Sequence, residues 1–254
     1  PKGTKGAPAS APKARASMCL ILFALGCSER YPLILAANRD EFYARKTAPA
    51  QWWDGPCRWL GGRDLVSGGT WLGLTPEGRF AAVTNYRDPN GHVGSISRGQ
   101  LVLDALRGEP DFGQDYSDCS LIWGTARELW YWSNRDPDGP SRIPRGLHGL
   151  SNHLLDTPWP KVSRGVSRLS LALNEPSTAV LLNLLEDGQQ APDEALPDTG
   201  VGLTRERVLS PLFVDTEQYG TRSSTAILFG ADGSLEFAER TPEGTFTWSS
   251  SPSA

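Results

Sequence analysis

The sequence predicts an α+β fold, a layered single domain in which antiparallel strands cluster and helices stand apart from them. Three observations predict it. Short apolar runs come in pairs separated by turn residues, helical spacing is confined to three stretches, and the order strands, helix, strands, helices, strands has no repeat and no linker inside residues 19–248. A doubly wound parallel sheet would need strands and helices to alternate.

"CLILFALG" and "LILAANRDEF" are apolar runs separated by "CSERYP", and they predict two buried strands in a hairpin. "GGTWLGLTPEGRFAAVTNYR" repeats the pattern around the turn "TPEGR". "SRGQLVLDALRG" places Leu101, Val102, Ala105 and Leu106 at helical spacing and stops at Gly108. "CSLIWGTARELWYWSN" predicts two strands around "GTAR". "PWPKVSRGVSRLSLALNE" and "PSTAVLLNLLEDG" predict amphipathic helices, the second capped by Ser177 or Thr178 and stopped at Gly188. Residues 189–204 are rich in Pro, Asp and Gly and predict a long surface loop. "STAILFGADGSLEFAER" closes the pattern as a hairpin on an Asp-Gly turn.

Composition is that of a globular chain of 254 residues, 39% hydrophobic and 21% charged, with nine Trp and twenty Pro. Residues 1–17, "PKGTKGAPASAPKARAS", carry Lys2, Lys5, Lys13 and Arg15 and no acid; they lack the large apolar residues needed to order themselves and predict a disordered extension ahead of a domain spanning 18–254. The remainder holds 21 basic against 29 acidic residues, a net charge of −8 that disfavours nucleic acid and anionic membrane surfaces as partners. Four cysteines without a CxxC pair are too sparse for a disulfide framework, and predict reduced thiols in a cytoplasmic compartment. No apolar run reaches the ~18 residues of a membrane span.

There is no GxSxG elbow, Walker loop or HExxH. "SGGTWLG" precedes a strand instead of opening a helix, so it predicts a hairpin with close backbone approach and not a phosphate cradle. His92, His148 and His153 have no metal-ligand spacing, and no metal site is predicted. No CxxCH haem attachment occurs, and Cys57 follows a proline where a regulatory haem motif would have Cys before Pro.

Polar residues recur at the ends of apolar strands: Asn38, Arg39, Asp40 and Glu41, then Asn85 and Arg87, Asn152, and Arg222. The two-residue period puts Asn38 and Asp40 on one face and Arg39 and Glu41 on the other, so a site using both Arg39 and Asp40 requires a bulge or a turn there. Met18 is the one methionine, and the small Cys19 follows it, the setting in which an initiator methionine is trimmed. A Cys19 left with a free α-amine would have its own base, since such an amine titrates near about 7.7–8.0.

"MCLILFAL", "LILAANRDEFYAR", "GGTWLGLTPEGRFAAVTNYR", "RGQLV", "GLSNHLLDTPWPKV" and "YGTRSSTAILF" together resemble the family named for its Asn-Arg-Asp-Glu signature, which includes the transport and Golgi organisation proteins. The resemblance runs in order from Met18 to about Arg240. That family in turn resembles the N-terminal nucleophile hydrolases of the choloylglycine hydrolase and penicillin V acylase branch. The likeness implies a four-layer αββα sandwich with Cys19 as nucleophile. It also implies Arg39 as stabiliser of thiolate or substrate charge, Asp40 or Glu41 as the group orienting the amine, Asn85 and Asn152 at the oxyanion, and Arg222 tuning the site. Asn38, Glu41, Trp71 and Tyr86 complete the expected substrate-binding set.

Two functions follow from the resemblance. One is hydrolysis of an amide or thioester of a small acylated molecule, with no cofactor required. The other is non-catalytic binding or trafficking of haem or lipid on the same scaffold, with mitochondrial or Golgi association in eukaryotic relatives.

Overall fold

A computed structural model describes residues 18–55 and 57–251. The expected disordered extension lies outside them. Met18–Leu25 (β1) and Leu33–Phe42 (β2) form the first predicted hairpin, and Tyr219–Phe229 (β11) pairs antiparallel with the far side of β2. Gly146–Leu150 (β10), Leu235–Thr241 (β12) and Gly244–Ser250 (β13) complete a six-stranded sheet of order β10-β1-β2-β11-β12-β13. The second sheet has seven strands in sequence order from Thr47–Trp52 (β3) through Leu60–Asp64 (β4), Leu72–Leu74 (β5), Arg79–Asn85 (β6), Cys119–Thr125 (β7) and Glu128–Ser133 (β8) to Ser141–Arg142 (β9).

Strand parity sorts the side chains into three apolar layers. Ile21, Phe23, Leu35, Ile227 and Phe237 point from the first sheet onto Leu72, Phe80 and Ile122 of the second. The opposite face of the first sheet carries Leu20, Leu22, Ile34 and Leu228, which pack against Pro160–Ala172 (α2) and Thr178–Leu184 (α3). Ala81, Val83 and Leu121 on the outer face of the second sheet meet Leu101, Val102 and Leu106 of Arg98–Arg107 (α1). The fold is therefore a four-layer αββα sandwich. β1 reads as an unbroken apolar run because both its faces are covered.

Local chemistry sets the helix ends. Ser97 caps α1 by accepting from Gly99 N–H, and Gly108 closes it in the left-handed region at φ 92°. Ser177 caps α3 by accepting from Val180 N–H, but that helix ends at Leu184, before the expected stop at Gly188. The expected loop 189–204 contains a 3-10 turn, Asp193–Ala195, and runs into the short helix Leu203–Val208 (α4). Among the described residues no helix is long and apolar enough to cross a membrane.

Candidate functional site

The start of β1, the ends of β2 and β6, the start of β11 and the N-terminus of α1 converge on one cavity of about 630 Å³. Cys19 supplies the one sulfur among its described lining residues, and none of the three histidines reaches it. Six of the ten residues expected to form the catalytic and substrate-binding set line it: Cys19, Arg39, Glu41, Trp71, Asn85 and Arg222.

Cys19 faces the cavity because it shares strand parity with Ile21 and Phe23. Its Cα pairs with that of Arg39 across the β1–β2 ladder. Burial pushes the thiol up to about 12, with the Arg39 charge opposing and the Asp40 and Glu41 charges adding to the rise. A thiol held there is almost wholly protonated at neutral pH. Arg39 is 7% exposed; its Nη2 lies 3.4 Å from Glu41 Oε2, while its buried Nη1 makes no hydrogen bond. Glu41 also stands 3.6 Å from Arg45, which is held more closely by Asp64 at 2.6 Å.

The bulge that the sequence required falls on β11 and not on β2. The β2–β11 register shifts between Thr221 and Ser223, so Arg222 is the extra residue. Its guanidinium donates through Nη1 to the carbonyls of Phe42, Tyr43 and Arg45 at 3.0–3.1 Å, fastening the chain that leaves β2. β2 itself stays regular, so Arg39 and Glu41 face the cavity while Asp40 points to the helix side. There Asp40 Oδ1 accepts from the Thr221 hydroxyl at 2.6 Å, and Lys161 Nζ lies 3.8 Å from Oδ2. Burial raises the Asp40 pKa, and the Lys161 charge opposes that rise.

Three other expected residues take supporting places. Asn38 also faces the helices: its amide donates to the carbonyls of Leu185 (3.0 Å) and Leu212 (2.8 Å) and its oxygen accepts from Ser224 (2.6 Å). It ties helix layer to sheet and is too remote to bind substrate in the cavity. Asn152, fully buried, donates to the backbone carbonyl of Asn85 at 3.2 Å and stands behind that residue, outside the cavity wall. Tyr86 is 2.6 Å from His153 Nε2 and likewise lies away from the lining.

Among the lining residues that the sequence did not single out are Arg98 and Glu239. Arg98 begins α1 and is half-buried, with its guanidinium 3.5 Å from the Asp118 carbonyl. Glu239 of β12 is 3% exposed, accepts from Ala50 N–H at 2.5 Å across the gap to the second sheet, and is pushed by burial up to about 7. Its inward parity in "LEFAER" was the available signal. Among the described residues no group of three His, Cys, Asp or Glu side chains could hold a metal ion, and none of the four cysteines is in a disulfide.

The family described as Transport and Golgi organisation 2 matches residues 18–244. The human Transport and Golgi organization protein 2 homolog is 36% identical over 256 residues, covering 88% of this chain and 92% of its own. The bovine homolog is 35% identical over 261 residues, covering 90% and 94%, and the Drosophila melanogaster protein 27% identical over 267 residues, covering 89% and 93%. Among solved structures, a Caenorhabditis elegans N-acylethanolamine-hydrolyzing acid amidase ortholog aligns at TM-score 0.49 and 10% identity, covering 91% of this chain and 100% of that one. A mutant conjugated bile acid hydrolase from Clostridium perfringens aligns at 0.46 and 7%, covering 91% and 92%. With a family match that begins at the Met-Cys pair and runs through β12, the chain belongs to the Transport and Golgi organisation 2 family.

Proposed function

We propose that the protein is an N-terminal cysteine hydrolase acting on an amide or thioester of a small acylated molecule. The observation that carries this reading is the convergence of Cys19, Arg39 and Asn85, from three separate strands, on one cavity. With Met18 attached, Cys19 nitrogen is an amide with no basicity and the thiol stays protonated. Removal of Met18 creates an amine on the same residue, in reach of its own thiol.

The amine takes the thiol proton, and the sulfur attacks the acyl carbonyl carbon while Arg39 offsets the thiolate charge. The Asn85 amide, which Asn152 braces from behind, donates to the oxyanion that forms. Collapse breaks the bond to the leaving amine or thiol, which takes the proton back from the Cys19 ammonium. Water, deprotonated by the same amine, then attacks the thioester and releases the acid. Glu41, inside the cavity, contacts the substrate or Arg39. Asp40 is the acid on the side where the Met18 chain lies, so it is the one that orients the amine.

The test is a panel of acyl amides and thioesters offered to a chain whose first residue is Cys19. Cys19→Ala is expected to abolish every turnover found, and Asn85→Ala to lower kcat by about 10²–10³-fold. An activity that survives Cys19→Ala contradicts the reading.

A further inference from the structure

Lys161 has no place in the mechanism above, yet it is among the most enclosed charged residues of the protein. It is the second residue of α2, in the stretch "PWPK", and is 1% exposed. Burying an ammonium group costs far more than burying a hydrocarbon unless hydrogen bonds compensate. Here they do not: Nζ makes no hydrogen bond, and its nearest acid is Asp40 at 3.8 Å. A lysine kept solely to fasten α2 to the sheet would close on its partner. The pair His148–Asp156 does so at 2.7 Å, with Asp156 also accepting from Gly149 N–H.

The surroundings of Lys161 are those of the chain start. Met18 and Asp40 are register partners on β1 and β2. Parity sends the Met18 side chain to the helix-facing side, among Leu209, Val214 and Tyr219, and its backbone N–H donates to the Tyr219 hydroxyl at 2.7 Å. When Met18 departs, that volume and that hydroxyl are left facing the new terminus, one residue from the Asp40 register position. The charged and titratable groups on this side are Asp40 from β2, Tyr219 from β11, Arg87 from the segment after β6, Glu206 from α4, and Lys161, while Cys19, Arg39 and Glu41 act on them through the sheet from the cavity face. Arg87 and Glu206 pair with each other at 2.6 Å, and this closed pair with Trp159 walls a cavity of about 10 Å³ beside Lys161. Arg39 and Glu41 also act on Cys19, but they pair with each other at 3.4 Å on the cavity face; on the helix-facing side what remains beside the chain start is one carboxyl, Asp40, and one amino group, Lys161.

We propose that Lys161 is a positioning residue of the site: its buried ammonium, beside Asp40 behind the start of β1, holds the α-amine of Cys19 as free base once Met18 has gone. The inference rests on the reading of Cys19 as an N-terminal nucleophile. Asp40 alone would bind the amine as an ammonium ion and disable it as a base. Burial lowers the Lys161 pKa and the Asp40 charge opposes that fall; while Lys161 carries its proton it is a second cation at the same carboxyl and removes that preference, because like charges disfavour a further protonation. Asp40 can then orient the amine by accepting one of its hydrogens without loading it with a proton.

The experiment uses a chain expressed from Met18, checked by mass to begin at Cys19 and carrying 15N-cysteine. The α-amine resonance is followed against pH for the wild type, Lys161→Met and Lys161→Arg. Methionine matches the lysine stem in length and suits a buried position. The wild-type amine is expected to titrate below the usual 7.7–8.0; in Lys161→Met its pKa is expected to rise by about one unit, and in Lys161→Arg to stay near wild type. The acid limb of kcat/KM should move with it. An unchanged amine in folded Lys161→Met overturns the proposal, as does an equal shift in both variants, which would trace to lost packing and not to charge. The titration needs no substrate, so it separates the two ideas: a shifted amine in a protein whose turnover survives Cys19→Ala keeps Lys161 and rejects the hydrolase.

Discussion

At Asn38 and Asp40 one strand's parity decides which residues face the cavity. Both carry side chains typical of active sites, and both face away from the cavity, into the helix layer. Asn38→Ala would leave two buried carbonyls, of Leu185 and Leu212, without a donor, each worth about 1–3 kcal/mol. The expected result is a loss of several kcal/mol in urea unfolding, with kcat of the surviving folded protein little changed. A variant of full stability and lost turnover would return Asn38 to the site. The alternation was legible in "LILAANRDEF" and correctly separated Arg39 from Asp40. Which of the two faces would be the cavity was not legible, because that depends on the second sheet, whose pairing is non-local.

The elements bring these residues together through two close contacts. One is the bulge in β11, which lets Arg222 bond the carbonyls that follow β2. The other is the approach of Gly69 to Gly99, where a Cβ added at Gly69 would stand 2.7 Å from the Gly99 carbonyl carbon. "SGGTWLG" thus serves backbone contact between the β4–β5 turn and the start of α1, the segment that carries Arg98 to the cavity. Gly69→Ala should force them apart and cost about 1–3 kcal/mol, read by denaturant unfolding; an unaffected midpoint would refute the contact. Glu239 makes a third link, from β12 to β3. Its carboxyl is raised to about 7 from 4.5, so between those values the folded protein holds more protons than the unfolded one. Its contribution is therefore full below the unfolded pKa and falls as pH rises, by about 3 kcal/mol at most once pH exceeds 7. Glu239→Gln should flatten that fall between pH 5 and pH 8; an unchanged slope would show Glu239 to be ionised throughout. The strands flanking this link, "TAPAQW" and "LGGRD", were not legible because Pro49 and the paired glycines mask any alternation, and tertiary pairing overrides weak local preference.

Over the whole molecule, two sheets and two helix layers enclose every expected strand and helix. The layer order was implied by family resemblance and is borne out by three separate apolar clusters. The sandwich places the cavity on one face of the first sheet and the Asp40–Lys161 pair on the other, with β1 between them. That arrangement gives Cys19 two environments: its thiol faces an arginine-bearing cavity, and the residue bonded to its nitrogen, Met18, turns its side chain to the other face. Both are useful together only if the nitrogen is an amine. The most direct measurement is the intact mass and N-terminal sequence of the protein expressed from its natural gene with its upstream region. The expected product is a chain beginning at Cys19. A purified, folded protein that retains Met18 would contradict the proposed mechanism, since Cys19 would then have no base of its own.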